Sequence, residues 1–463
     1  MLAVAIAAWS TGLMERVSEP GLSAATTPLD IPPPTGLQLP AARTPQPVLT
    51  TPSAPPIDAA VLRTAVLPLL RDPDLGRRVG FTVYDLGRDQ PVWTSGDDET
   101  YLPASTVKLL TTMATLQVLG GDHRFATTVV ESAPTGGVPG LVLVGGGDPL
   151  LASRDVAPTR SDYPVPATLE DLVRQTVRAL RAADIDRVRV GYDAGLFTGP
   201  AVNPAWERDY VRSEIVTPIS ALWVDQGVEP GAVSTRAPEP AVFAAEQFAT
   251  ALAGRGVRVV GPPAPERAAD SAAVVARVES PPLDQVVQYV LERSDNEGAE
   301  VLLRHLGAAT GRPASFAGGA AAMREVLVEL GVPWQGVRLF DGSGLSRDDR
   351  LSLVALVEVL RLAVDPQHPE LRPVVSHLPV AGFSGSLAYR FTDPAAQEGR
   401  GVARAKTGTL SHVHALAGVT LDRDGSELAF VAVADRVRLR DTLDARDSLD
   451  RIVAALAACG CPR

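Results

Sequence analysis

A chain of 463 residues, 45% hydrophobic and 21% charged, has room for two or three compact domains with sizeable cores and is neither fibrous nor disordered throughout. Its formal net charge is −11 and its basic residues are dispersed rather than gathered into a stripe, which argues against a nucleic-acid partner and for neutral or zwitterionic ones. Of its 43 lysine and arginine residues only Lys108 and Lys406 are lysines, so two positions have resisted a strong bias toward arginine.

The chain opens on MLAVAIAAWSTGLMER, an apolar run too brief to span a bilayer comfortably, with no basic residue ahead of it. An ordinary apolar start is the plain reading. The sequence that follows favours a hydrophobic stub over residues 1–18, a truncated signal or anchor, because residues 19–56 are rich in Pro, Thr and Ala. That composition builds no core and behaves as an extended tether. Together the two segments suggest a domain held off a membrane on its outer side.

Globular sequence begins near Ile57, where IDAAVLRTAVLPLL has helical spacing, and continues in GFTVYDLGRDQPVWTSG, a hairpin around a Gly-Arg-Asp turn. LPASTVKLLTTMATLQVLGG predicts a helix from about Ser105, stopped by Gly120 and Gly121. From Phe125 short β-like runs with glycine turns (LVLVGGGDPLL, VRVGYDAGLF) enclose one helix from Leu169 to Ala182. A helix from Ala241 to Ala253 leads through a Gly/Pro-rich join to helical sequence at Leu283. Strands return in ARAKTGTL, HALAGVTL and LAFVAVAD before a last helix, Leu443 to Ala457. This order predicts an α+β fold, a discontinuous domain of residues 57–125 and 274–463 with a smaller α/β unit, residues 126–273, inserted into it. Cys459 and Cys461 end the chain as C-G-C, a loop too small for a structural disulfide to gain much; they read as a tail feature with redox activity as the remote alternative.

Three stretches carry chemistry. Ser105 and Lys108 lie three residues apart, hence on one face of a helix. A lysine beside a serine can act as its base once burial lowers its pKa, which arginine cannot do. Alone, the pair is weak, since a serine at a helix start is more often a cap. Ser294-Asp295-Asn296 precedes a helix and would be explained by capping, yet the chain has only two asparagines, Asn203 and Asn296, and one completes this triplet. Lys406-Thr407-Gly408 sits in a strand-like run where a glycine lets a ligand backbone approach the edge, and where a cation and a hydroxyl suit a substrate carboxylate.

S-x-x-K, S-D-N and K-T-G in this order form the signature shared by penicillin-binding proteins and class A β-lactamases. The sequence most resembles the D-alanyl-D-alanine carboxypeptidase/endopeptidase family, the DacB or PBP4 type of class C low-molecular-mass penicillin-binding protein, peptidase family S13. GGGDPLL at Gly145, DAGLF at Asp193, ISALWVDQG at Ile219, DGSGLS at Asp341 and PVAGFSGSL at Pro379 carry the likeness from about residue 57 to the end. It implies a serine β-lactamase/D,D-peptidase (penicillin-binding transpeptidase-like) fold and an acyl-transfer site needing no cofactor or metal. In that site Ser105 attacks the carbonyl of the penultimate D-Ala with Lys108 as general base, and Ser294 shuttles a proton. Asn296 binds the substrate backbone, Lys406 and Thr407 hold the terminal carboxylate beside Gly408, and the N–H groups of Ser105 and Thr409 form an oxyanion hole. Asp193 falls where the family contacts a free amino group on the peptide side chain, but Ala194-Gly195 follows it in place of the family's hydroxyl residue.

The resemblance further implies peptidoglycan stem peptides as substrates, β-lactams as covalent inhibitors, and an extracytoplasmic place in the cell envelope, secreted or anchored by the N-terminus. Ser105 and Ser294 are 189 positions apart, shorter than is usual for the family, so its third, all-β domain is expected to be missing. Two rivals stand beside this reading. A β-lactamase would need an E-x-x-x-N context between S-D-N and K-T-G, and no asparagine follows Asn296. A non-catalytic wall-binding module would have little use for both lysines. His412 and His414 alternate and would share a strand face, but with no carboxylate or cysteine near in sequence they read as surface or cleft-rim histidines rather than metal ligands.

Overall fold

The structure, a computed structural model, describes residues 56–96, 99–154, 163–229 and 235–460. The expected hydrophobic stub, nearly all of the proline-rich tether and Cys461 lie outside the described residues. In chain order the described residues form α1 (Ala59–Leu70), β1 (Val79–Asp85), β2 (Gln90–Ser95) and α2 (Val107–Leu119). Next come β3 (Ala126–Thr135), β4 (Val138–Val144), α3 (Leu169–Ala182), β5 (Arg187–Asp193), α4 (Pro240–Ala253), β6 (Arg258–Val259), β7 (Ala264–Pro265) and β8 (Val274–Glu279). The chain continues through α5 (Leu283–Arg293), α6 (Asn296–Ala309), α7 (Phe316–Glu329), α8 (Leu353–Val364), β9 (Arg404–Leu410), β10 (Val413–Leu421), β11 (Glu427–Ala434) and α9 (Thr442–Ala458).

Two sheets organise these elements. The first is antiparallel in the order β9-β10-β11-β1-β2, so the two ends of the globular sequence meet at its centre, with Phe81 opposite Ala432. It is buried on both faces, which is why β11 reads as an unbroken apolar run rather than an alternating one. Along that strand Ala429, Val431 and Val433 join the cluster formed with α2, α5, α6 and α8. Phe430 and Ala432 turn the other way, onto Leu62 of α1 and Ile452 and Val453 of α9. The second sheet runs β6-β5-β4-β3-β8, with β7 also on β5, and mixes parallel pairs (β4 with β5) and antiparallel pairs (β3 with β4). Its apolar face takes Leu172, Val173 and Phe248 from α3 and α4. The segments of β6 and β7, expected only as a Gly/Pro-rich join, are two-residue strands; pairs so short leave little periodicity to read.

Helix α2 sets the position of the site. Every residue from Val107 to Leu116 is buried, so this is a core helix without a solvent face. Two of its threonines are satisfied within the helix, Thr112 Oγ1 donating to the Lys108 carbonyl at 2.7 Å and Thr115 Oγ1 to the Thr111 carbonyl at 2.7 Å. Regular α-helix begins at Val107 rather than at Ser105, because Ala104–Thr106 is a 3-10 turn. No side chain caps this turn, so the capping role that alone could have explained Ser105 is not what the residue does.

Candidate active site

Four segments converge at the start of α2. Ser105 stands in the 3-10 turn directly after Ala104, whose φ of 47° is left-handed, a conformation that costs a residue bearing a Cβ about 1 kcal/mol or more. Half-buried Ser105 accepts a hydrogen bond from Lys108 Nζ, 3.0 Å from its Oγ. The same Nζ donates to Asn296 Oδ1 at 2.8 Å and to the Ser343 carbonyl at 2.7 Å. A neutral amine has two N–H groups and one lone pair; with both N–H groups taken by Asn296 and Ser343, the lone pair faces the serine hydroxyl.

Burial brings that neutral state closer than it is for an ordinary lysine. Lys108 is fully buried, and burial pulls its pKa down to about 8 against the opposing pull of Glu300, Asp295, Asp341 and Glu297. Lys406, fully buried as well, is held well below the ordinary lysine value by burial and by the charge of Lys108.

The S-D-N triplet bridges two helices. Ser294 ends α5 in the left-handed region, φ 58°, and its Oγ accepts from Lys406 Nζ at 2.8 Å. Asp295 caps α6, its Oδ1 accepting the Gly298 N–H at 2.6 Å, so the capping role anticipated for this triplet and its place in the cluster coexist. Asn296 Nδ2 donates to the Ile215 carbonyl at 3.4 Å.

The K-T-G stretch lies on β9, the edge strand of the first sheet. The Ala405 N–H points outward, to the Pro379 carbonyl at 3.0 Å, and alternation along the strand aims the N–H groups of Thr407 and Thr409 at the same open side. Lys406 Nζ also donates to the Thr407 carbonyl at 2.9 Å, and Thr407 Oγ1 to Ser386 Oγ at 2.8 Å. Thr409 is exposed. Gly408 is also needed by the protein's own packing: a Cβ there would lie 2.8 Å from the Pro103 carbonyl oxygen and 3.3 Å from Ala104 Cβ. What approaches the strand at this glycine is the loop that carries Ser105.

A model of the D-Ala-D-Ala carboxypeptidase 3 (S13) family matches residues 62–233 and 227–456, most of the chain. The chain belongs to the D-Ala-D-Ala carboxypeptidase 3 (S13) family. It is 35% identical over 430 residues to the carboxypeptidase DacB of Mycolicibacterium smegmatis, with 90% of each chain covered. It is 32% identical over 446 residues to a D-alanyl-D-alanine carboxypeptidase of Actinomadura sp. strain R39, with 80% of each covered. Among solved structures, penicillin binding protein 4 (dacB) of Haemophilus influenzae superposes with a TM-score of 0.65 at 19% identity, over 85% of this chain and 98% of the other. The fold is therefore the expected penicillin-binding, β-lactamase-like α+β fold, carried by an S13 peptidase.

In this S13 chain the motif residues form two hydrogen-bonded groups, Lys108 with Ser105 and Asn296, and Lys406 with Ser294 and Thr407, near enough that the charge of Lys108 acts on Lys406, with Gly408 packed against the loop that carries Ser105. Asp193 makes no hydrogen bond to either: Oδ1 accepts the Gly195 N–H at 2.8 Å and Oδ2 the Ala268 N–H at 2.9 Å. The two histidines correct the sequence reading. His412 precedes β10 in a turn, φ 70°, so the pair does not alternate along a strand. His414 is buried rather than at a surface or rim, with neither ring nitrogen hydrogen-bonded. Among the described residues no group of three His, Cys, Asp or Glu side chains is placed to hold a metal ion.

Sequence reasoning passed over Ser343, Ser386 and Gln226, which touch the motifs directly. Gln226, left-handed at φ 52°, donates from Nε2 to Asp295 Oδ1 at 2.8 Å. All three lie in stretches that carried the family likeness, DGSGLS, PVAGFSGSL and ISALWVDQG, so the signal was present without a role attached. Ser343 in particular acts through its backbone carbonyl, which no side-chain chemistry announces.

Proposed function

We propose that the chain is a serine D-alanyl-D-alanine carboxypeptidase acting on peptidoglycan stem peptides outside the membrane, through an acyl-enzyme on Ser105. The observation that carries this reading is the valence of Lys108: two N–H groups engaged by Asn296 Oδ1 and the Ser343 carbonyl, and the remaining position 3.0 Å from Ser105 Oγ. Ser105 Oγ adds to the carbonyl carbon of the penultimate D-Ala while its proton passes to Lys108 Nζ. The oxyanion is met by the outward N–H of Thr409 and that of Ser105. As the C–N bond breaks, the leaving amine takes a proton by way of Ser294, whose Oγ lies 2.8 Å from Lys406 Nζ. Lys406 and the Thr407 hydroxyl receive the terminal carboxylate, and the side-chain amide of Asn296 orients the peptide backbone. Water then attacks the ester, with Lys108 again taking the proton.

A β-lactam has an acyl carbon in the same setting and acylates Ser105 in the same way, with its leaving nitrogen retained by the ring. The relatives named as carboxypeptidases support the exopeptidase form. The envelope location follows from the substrate; the tether that would hold the enzyme there belongs to residues outside those described, and among the described residues no helix is long and apolar enough to cross a membrane.

Incubation with a fluorescent penicillin is expected to give one covalent adduct per chain that Ser105→Ala abolishes. Labelling that survives the substitution overturns the assignment. Mass spectrometry of purified muropeptides after digestion reads the reaction itself: loss of one terminal D-Ala from monomers is the expected product, and conversion of cross-linked dimers to monomers would reassign the chain as an endopeptidase.

A further inference from the structure

Glu300 lies outside all three motifs. It is fully buried on α6, one turn beyond Asn296, so the two side chains share a helix face. Asn296 reaches Lys108 directly, whereas Glu300 stops one peptide short of it. Its Oε1 accepts the Ser343 N–H at 2.8 Å, and both carboxylate oxygens accept the Gly342 N–H at 3.1 Å. The carbonyl of the same Ser343 is the acceptor for Lys108 Nζ.

We propose that Glu300 is the positioning residue of the general base: it fixes the Gly342–Ser343 peptide so that the Ser343 carbonyl faces Lys108 and the amine's remaining position faces Ser105. This rests on the acyl-transfer reading above.

The surroundings of that peptide support the assignment. Gly342 O accepts from Thr111 Oγ1 of α2 at 2.8 Å, and Asp341 Oδ1 accepts the Gly344 N–H at 2.8 Å. Gly344 has a φ of 81°, and a Cβ on it would come within 1.9 Å of the Ala104 carbonyl oxygen. The turn therefore presses on the backbone before the nucleophile while its next carbonyl receives the base. Glu300 accepts from the N–H groups of Gly342 and Ser343 and from the Ser343 side chain, which suits a carboxylate accepting at both oxygens. An amide in its place would turn an NH2 toward an N–H.

The charges around the pair set the expected sign. Lys108 faces Glu300, Asp295, Asp341 and Glu297, and it acts in turn on Lys406; Glu300 faces Asp341, Asp349 and Arg304. Burial and the charge of Asp341 raise the Glu300 carboxyl to about 8, so it ionises over the range in which Lys108 gives up its proton; once ionised it favours the protonated amine, and its removal makes Lys108 easier to deprotonate there.

The test is the second-order rate of acylation of the full chain by a fluorescent penicillin across pH 5.5 to 10, for wild type, Glu300→Gln and Glu300→Asp. For E300Q we expect a plateau about tenfold lower and an acid limb moved about one pH unit down. For E300D, which keeps the charge but withdraws it by one methylene, we expect the plateau to fall while the limb stays near that of the wild type. An E300Q profile with an unmoved limb, or an E300D profile matching wild type in rate, overturns the proposal; E300D also serves if E300Q does not fold.

Because the chain has two lysines, protein labelled with 13C-lysine gives two side-chain signals, and Lys406→Arg assigns them. The Lys108 signal is expected to titrate at lower pH in E300Q than in wild type, and equal titration overturns the proposal. Absence of any Ser105 adduct in wild type would sink the acyl-transfer reading instead, and this titration then tests the Glu300 assignment alone.

Discussion

Lys406 on an edge strand donates to Ser294 Oγ at 2.8 Å, and the residue that receives it is the left-handed end of a helix 112 positions earlier in the chain. The contact places a second buried amine near Lys108, and the charge of Lys108 is one of the causes that hold Lys406 low. Neither amine is an ordinary lysine, and the pH dependence of the chemistry follows.

If neutral Lys108 is the base, acylation requires its proton to be absent. The rate constant for covalent labelling by a β-lactam is expected to rise with pH through a midpoint near 8 and then level, because burial brings the amine to about 8. A rate independent of pH between 6 and 9 contradicts this.

Arginine should fail at both lysine positions for different reasons. At Lys108 it cannot give up its proton, and acylation is expected to fall by about 10³-fold or more. At Lys406 the difficulty is space: the side chain is fully buried, with its Nζ held by Ser294 Oγ and the Thr407 carbonyl, and a guanidinium is the larger group. Overpacking of this kind costs about 1 to 3 kcal/mol, so Lys406→Arg is expected to lower the melting temperature as well as the rate, whereas Lys108→Met should lower the rate alone.

Gly408→Ala tests the contact between β9 and the nucleophile loop. The new methyl would sit 2.8 Å from the Pro103 carbonyl oxygen, a backbone atom. Acylation is expected to fall at least tenfold with a loss of stability of about 1 to 3 kcal/mol. A variant with wild-type labelling kinetics would show that the strand and loop separate freely.

His305 predicts an acid sensitivity unrelated to the site. It is buried on α6, hydrogen-bonded to the Gly147 carbonyl at 2.9 Å and stacked on Phe125 with ring centroids 4.1 Å apart. Burial lowers its pKa to about 4, from about 6.5 for a histidine in water. Between those values the unfolded chain binds the proton and the folded chain does not, so stability is expected to fall as pH drops from about 6.5 and to stop falling from this cause below about 4. The loss is roughly 3 kcal/mol. Chemical denaturation of wild type and His305→Gln at pH 7 and pH 4.5 measures it; an equal loss in both chains rules His305 out as the source.

Much of this was legible in the sequence because the signals were local. The helix from Leu169 to Ala182 was read with its exact ends, since Thr168 caps it through the Asp171 N–H and its charged face alternates with an apolar one. The three motifs were legible through residue scarcity, two lysines and two asparagines in 463 positions. What escaped depended on distant contacts. The 3-10 turn at Ala104 is imposed by Gly344 and Gly408 packing on it, hundreds of positions away, and local periodicity carries no trace of that. His414 was misplaced because its burial comes from the elements packed over β10. Glu300 falls in a helix where an acidic residue ordinarily marks a solvent face, and only the turn folded against it shows otherwise.

The burial of α2 on all sides has one more consequence. A nucleophile mounted at the end of a surface helix could survive partial unfolding, but Ser105 stands in the turn that leads into a helix whose every side chain from Val107 to Leu116 belongs to the core. Loosening that core dismantles the nucleophile together with its base. A covalent penicillin label would therefore count native molecules, and the fraction of a preparation that can be labelled would serve as an assay of folding.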